Sequence, residues 1–425
     1  MASDSYGYLV VSQDLADGTL ESLHFRSVGY PWLLVLTGSA EEPTRALFVV
    51  SLGLHFLAVA LGAGCLRNLG LPLVLRLVFV ALASLPPFVQ SSALVLTENL
   101  SQFLLVLAFV LLLRGIRSEA SRWVAAAGLV LGWSALVRPT FQALAPSLGL
   151  ALLLLPPILS GRRPGRRDWR AAAWLVAASS LVLLATATWN QIRFDHFGIS
   201  PGNLGYSLST KTVRVLERLP ERYAAEREAL IRARDQHLVE RGSSHTAEQY
   251  LPQAKPELRR VSGLEGVELE ALILELNLLL IREAPLTYLI EVFKSVPGYL
   301  FPVANSFSTG GSPALFLVWA GLHFAILGFF LLQAVVLAGV TLLRLTRRIR
   351  ARRQGLPHPD LGISPQVLSA YLLAATIIVY TMFISCVVHH GESRFRVPTD
   401  LLILMTALLG ARLWWTLAAP SEAST

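Results

Sequence analysis

Charge is scarce in this chain. Asp, Glu, Lys and Arg together make up 15% of its 425 residues, against about a quarter in a typical soluble domain. Cysteine is nearly missing. Cys65 and Cys386 both fall in apolar runs, so there is no disulfide framework and no paired CxxC that would hold a metal. His389 and His390 are adjacent, but no third ligand stands at a zinc-site spacing. Neither a metal nor a cofactor is expected. The chain also lacks a basic face with interleaved aromatics on a polar domain, which excludes a nucleic-acid partner. No repeat at solenoid spacing and no low-complexity tract is visible. No cleavable leader is expected ahead of the opening polar stretch.

What is abundant is apolar sequence. Hydrophobic residues make up 54%, the mean hydropathy is +0.56, and the excess lies in blocks long enough to cross a bilayer. Spans are predicted near 44–66, 71–88, 99–114, 123–137, 141–160, 171–190, 314–344, 366–388 and 398–417. The second is weak, because Arg76 lies inside it and Pro86-Pro87 end it. The run 314–344 reads as a tilted span or as a span with an extension.

The net charge of +8 is carried almost wholly by Arg. Arginine-rich loops (67–76; RGIRSEASR from Arg114; RRPGRRDWR from Arg162; RLTRRIRARR from Arg344) fall at alternate connections, which assigns them to the cytoplasmic side. Residues 1–43, 89–98, 138–140, 191–313 and 389–397 then face outward. Nine spans with an inside C-terminus place the N-terminus outside, and the expectation is that a further span precedes Met1.

Three divisions follow: an N-terminal transmembrane part (1–190), an extracytoplasmic helical insertion (191–313) and C-terminal transmembrane helices (314–425). The insertion is expected to open with a loop (FGISPGNLGYSLS). A charged helix from Val213 to Arg241, a second near Leu264 to Arg282, and a helix returning to the membrane over Pro285 to Leu300 follow.

The opening stretch, SDSYGYLVVSQDLADGTLESLHFRSVGYPWLL, is too polar to span a bilayer and is read as an acidic loop laid on the membrane. Ionisable residues gather at the predicted outer mouths of the helices: Asp4 and Arg26 in that stretch, Glu98, Arg138, and the group His389, His390, Glu392, Arg394 and Arg396. Charges beside a bilayer are retained for a purpose. Guanidinium groups suit phosphate oxygens, and carboxylates suit proton abstraction from a hydroxyl. Each has a plainer reading beside it. Glu98 suits a helix N-terminus, Arg138 a headgroup anchor, and Glu392 with Arg394 a local ion pair. Tyr6, Tyr8 and Tyr30 fit packing as well as stacking on a sugar. His55 and His323 read as hydrogen-bonded core residues.

Several segments resemble integral-membrane glycosyltransferases of the GT-C superfamily, in the protein-mannosyltransferase and aminoarabinose-transferase-like (family 39) group. SDSYGYLVVSQDLADG resembles the group's first outer loop, FRSVGYPWLL its R-x-P-G-Y-P-L-L-L segment, and LTENLSQFLL its T-E-x-L span entry. LGWSALVRPTFQALAP resembles G-L-x-x-L-x-R-P, and HHGESRFRVPTDLLIL the E-x-R-Y-R-x-P before the last span. The matches occur in the family's order. The departures are Ser5 after Asp4, where the family often has a second acid, and Val28 in place of Pro.

The resemblance implies an all-α polytopic fold of GT-C architecture in the bacterial inner membrane, its site facing outward. The implied activity is inverting transfer of a sugar from a polyprenyl-phosphate donor to a hydroxyl on a protein, lipid or envelope glycan. Asp4 is implied as the general base and Arg394 and Arg396 as phosphate contacts. Arg26, Tyr30, Glu98, Arg138 and Glu392 complete the implied substrate-binding set. A glycan polymerase or ligase, a non-catalytic assembly protein and, at a further remove, a transporter are the alternative readings.

Overall fold

The computed structural model describes residues 3–19, 26–160, 162–199, 203–241, 250–302, 311–354, 364–389 and 391–418. Among them there are helices and no strands. Seven helical segments are long and apolar enough to cross a membrane, or eight if one bent pair counts as a span. The protein is an integral membrane protein. Helices keep every backbone hydrogen bond within the segment, which is what a lipid solvent requires.

The first departure from the sequence reading lies at the N-terminus. Residues 4–34 are not one loop but largely helix: α1 (Ser3–Asp17) and α2 (Gly29–Leu36), packed on each other. Polarity excludes a span, but it does not exclude a helix whose polar side chains find partners. The long spans α3 (Arg45–Asn68) and α6 (Glu98–Ser118) follow, separated by a broken element. There the expected straight span near 71–88 is instead α4 (Leu73–Ala83) and α5 (Pro86–Val89) with its 3-10 continuation to Ala93, bent by 63°. Proline explains the break. Leu85 is forced extended (φ −67°, ψ 146°) ahead of Pro86, because the ring disfavours a helical residue before it.

Next come α7 (Ser121–Val137), α8 (Leu144–Ser160) and α9 (Arg166–Phe194). The 17 residues of α7 give about 25 Å of length, somewhat short of the hydrocarbon thickness, and Pro139 stops it by holding Arg138 extended (φ −137°, ψ 109°). Beyond the insertion lie α15 (Pro313–Gln354), α16 (Pro365–Val388) and α17 (Val397–Ala418). The apolar part of α15, Pro313–Gly339, runs unbroken into the arginine-rich stretch, so the extended-span reading holds. The last helix is the axis of the bundle. It packs on α3, α4, α6, α15 and α16, and 78% of its apolar window is buried, against 22% for α15. The outward faces of α3, α4, α9 and α15 expose Phe48, Leu77, Leu181 and Val335 among many apolar side chains, as helices do when lipid is the neighbour.

The insertion carries more helix than expected. Its first stretch forms α10 (Asn203–Thr212), where a loop was predicted, and LPQAKPELRRVS forms an unpredicted α12 (Leu251–Ser262). With α11 (Ala224–Arg241) and α13 (Gly266–Glu283) these bury Val213, Leu216, Tyr250, Leu258 and Ile273 in a core of their own. The final helix, α14 (Pro285–Leu300), joins this unit to the bundle. It packs on α16, where the Tyr288 hydroxyl donates to the Val387 carbonyl at 2.6 Å.

His55 and His323 are buried and hydrogen-bonded, to Gln102 and Ala83 and to Leu300 respectively. The predicted outer connections share one end of the bundle, and the arginine loops share the other. Arg117 donates to the Asn68 carbonyl at 3.1 Å and Arg167 to the Ile116 carbonyl at 2.8 Å.

The entry of α2 depends on a glycine. A Cβ at Gly29 would stand 2.6 Å from the Leu136 carbonyl carbon and the Val137 nitrogen, both backbone atoms of α7. Gly29→Ala is expected to destabilise the protein by about 1–3 kcal/mol, the usual range for overpacking. Gly53→Ala, which meets open space in α3, is expected to be neutral or stabilising. Thermal unfolding in detergent compares the two.

Candidate functional site

At the end of the bundle opposite the arginine loops, charged and aromatic side chains from both halves of the chain meet. Glu98 is the first residue of α6, and Arg138 is the residue held extended at the end of α7. Their side chains are only 6% and 9% exposed and stand 3.6 Å apart, Arg138 Nη1 to Glu98 Oε1. That separation is an ion pair but not a hydrogen bond. Glu98 Oε2 and Arg138 Nη1 have no hydrogen-bond partner. Buried charged groups left in this state cost stability, and a native structure carries few of them.

The Arg138 guanidinium carbon lies 5.1 Å from the centre of the Phe395 ring, and that of Arg394 lies at the same distance from the same ring. His389 stacks on Phe395 at 4.5 Å. Each cation is favoured near the negative face of the ring. Phe395 thus joins the loop before α17 to the Arg138–Glu98 pair. Arg394 is also paired with Glu392, so this much of the plainer reading is correct.

The N-terminal helices reach the same place from the other side. The buried Ser5 hydroxyl donates to the Val95 carbonyl at 3.0 Å, three residues before Glu98. Tyr8 meets Tyr30 edge to face at 5.2 Å, and the Arg26 guanidinium stands 5.0 Å from the Tyr8 ring. Tyr30 is buried beside Glu98. Burial first, then the Glu98 carboxylate and Tyr8, push its hydroxyl well above the ordinary phenol range, so it stays a neutral donor. The Leu96 backbone is the one polar group within hydrogen-bonding reach of that hydroxyl among the described residues.

The insertion completes the surround. Ser207 on α10 lies 3.2 Å from His389 Nε2, and one turn later the buried Lys211 donates to the Ser295 hydroxyl on α14.

Of the residues singled out in the sequence, Tyr30, Glu98, Arg138, Glu392 and Arg394 come together, with Arg26 attached through Tyr8. Arg396 does not face them in the same way. It is fully buried, its Nε donates to Asp400 at 2.8 Å, and its Nη1 donates to the carbonyls of Tyr299 (2.8 Å) and Phe301 (2.6 Å). It ties the last loop to the end of α14. The backbone of Asp4 lies in the first turn of α1, next to the anchored Ser5; its side chain, and His390, lie outside the described residues. Phe395, Ser207 and Lys211 were not anticipated. The aromatic position between the two arginines of E-x-R-Y-R-x-P was the one signal for Phe395, while nothing local marks Ser207 or Lys211.

No known family model, curated protein or solved structure matches the chain.

The ion pair has a measurable signature. Glu98→Gln or Arg138→Met alone strands a buried charge and is expected to cost about 3–5 kcal/mol. The double variant is expected to lose markedly less than the sum of the two. Unfolding free energies in detergent, combined as a double-mutant cycle, give the coupling directly.

Proposed function

We propose that the protein is a membrane glycosyltransferase, moving a sugar from a polyprenyl-phosphate donor to a hydroxyl acceptor at the extracytoplasmic face of a bacterial inner membrane. The observation that carries the reading is the buried, under-satisfied pair of Glu98 and Arg138, beside Tyr30 and within reach of Arg394 through Phe395. Glu98 Oε2 and Arg138 Nη1 make no hydrogen bond within the protein, and a polar ligand supplies the missing partners. Their identity matches what the reaction needs, and the family-like motifs converge on the same place.

The arginine loops at the opposite end support the sidedness, since arginine is retained on the cytoplasmic side. In the proposed reaction the Asp4 carboxylate takes the proton from the acceptor hydroxyl. The acceptor oxygen attacks the anomeric carbon, and the bond to the donor phosphate breaks with its electron pair leaving on polyprenyl phosphate. The configuration inverts in this single displacement. Arg394 and Arg138 hold the phosphate oxygens as charge accumulates there. Glu98 keeps Arg138 oriented, and Tyr30 donates a hydrogen bond to sugar or phosphate. Arg396, committed to backbone carbonyls, holds the Arg394 loop in place and is a positioning residue.

The test is incubation of purified protein with a panel of polyprenyl-phosphate sugars and hydroxyl acceptors, measuring released polyprenyl phosphate. Asp4→Asn is expected to lower turnover by about 10²–10⁴-fold, the usual contribution of a general base, with unfolding temperature unchanged. Arg394→Ala is expected to lower kcat/KM by about 10–100-fold, as loss of a charged hydrogen bond does. Full turnover in Asp4→Asn rejects Asp4 as the base, and no release from any donor in the panel rejects the activity.

A further inference from the structure

A cleft lies far from that site, among the arginine loops. It encloses ≈ 320 Å³ between the ends of α6, α7, α8, α9 and α16. Its inner wall is apolar, formed by Val124, Leu152, Leu155 and Leu159. Its rim is charged, with Arg162, Arg167 and Arg170 set against Glu119 and Asp168. Two of the arginines are paired. Arg162 grips Asp168 with two hydrogen bonds (2.6 and 3.1 Å), and Arg167 meets Glu119. Arg170 is exposed and has no carboxylate partner among the described residues. The two connections that form this rim, Arg114–Arg122 and Arg162–Arg170, hold eight arginines and two carboxylates. Next to the rim, Trp169 and Trp174 are about half exposed on α9, the placement aromatic residues take at a membrane surface.

We propose that this cleft binds an anionic phospholipid of the leaflet at the arginine end, with the phosphate at Arg170 and one acyl chain along Leu152–Leu159. Charge complementarity selects the head: the mouth has a surplus of guanidinium groups after its two ion pairs are counted. The apolar wall selects a lipid over a free anion, because Leu159 at its mouth is only partly buried and an inorganic phosphate would leave it uncovered. The site is independent of the proposed transferase chemistry, which lies at the other end of the bundle, so its test does not use activity.

Delipidated protein in neutral detergent is titrated with mixed micelles of phosphatidylglycerol, with phosphatidylcholine micelles of the same chains, and with inorganic phosphate, and its unfolding temperature is followed. Phosphatidylglycerol is expected to raise the unfolding temperature saturably, and the other two are not. Arg170→Ala removes an exposed, unpaired side chain and leaves folding intact. It is expected to weaken the phosphatidylglycerol response about fivefold, the effect of one arginine at an anionic surface. Leu159→Gln, at a partly exposed lining position, is expected to weaken it as well. No shift with phosphatidylglycerol, equal shifts with phosphatidylcholine or with inorganic phosphate, or an undiminished response in Arg170→Ala each overturns the proposal.

Discussion

A buried carboxylate and a buried guanidinium that do not quite touch set the terms for the rest of this molecule. Glu98 and Arg138 lie at the ends of two packed helices, 3.6 Å apart and nearly sealed from solvent. In a low-dielectric setting such a pair repays its desolvation only with close geometry and full hydrogen bonding, and here neither is complete. The surrounding fold keeps the two groups in place. Pro139 holds Arg138 extended, Phe395 covers it, and Tyr30 lies against Glu98. An incomplete pair of this kind persists where the structure around it is over-determined.

That over-determination comes from three directions. The bundle supplies α6 and α7, the N-terminal helices supply Ser5, Tyr8 and Tyr30, and the last loop supplies Phe395 and Arg394. Each is fastened by an ordinary interaction a short distance away. Ser5 is bonded to the Val95 carbonyl, Gly29 admits the backbone of α7, and Arg396 clamps the end of α14. The insertion then leans in through α10 and α14. A site assembled this way draws on both ends of the chain and the bundle between them, because no single segment carries all of its members.

The membrane imposes a second asymmetry. The end holding this group buries its charges among aromatic rings and backbone carbonyls, whereas the far end concentrates arginine around an apolar cleft. One physical rule, retention of arginine on the cytoplasmic side, underlies both the proposed orientation and the proposed lipid site.

Much of the fold was legible in the sequence, because a bilayer span must be long and apolar whatever it packs against. All nine predicted segments are helical, and the exception has a local cause: Pro86-Pro87 bend the second. The polar N-terminus, α10 and α12 were misread or missed, since their helicity rests on tertiary partners and not on periodic apolar sequence. Of the site, the sequence determined which ionisable residues stand at span ends, and therefore which could share a pocket. Only the tertiary structure decided that Glu98, Arg138 and Arg394 meet around Phe395 while Arg396, two residues from Arg394, turns to backbone carbonyls. Residue type and span position are local properties of the chain, but the direction of a buried guanidinium is settled by whichever unpaired carbonyl or ring the packing brings near.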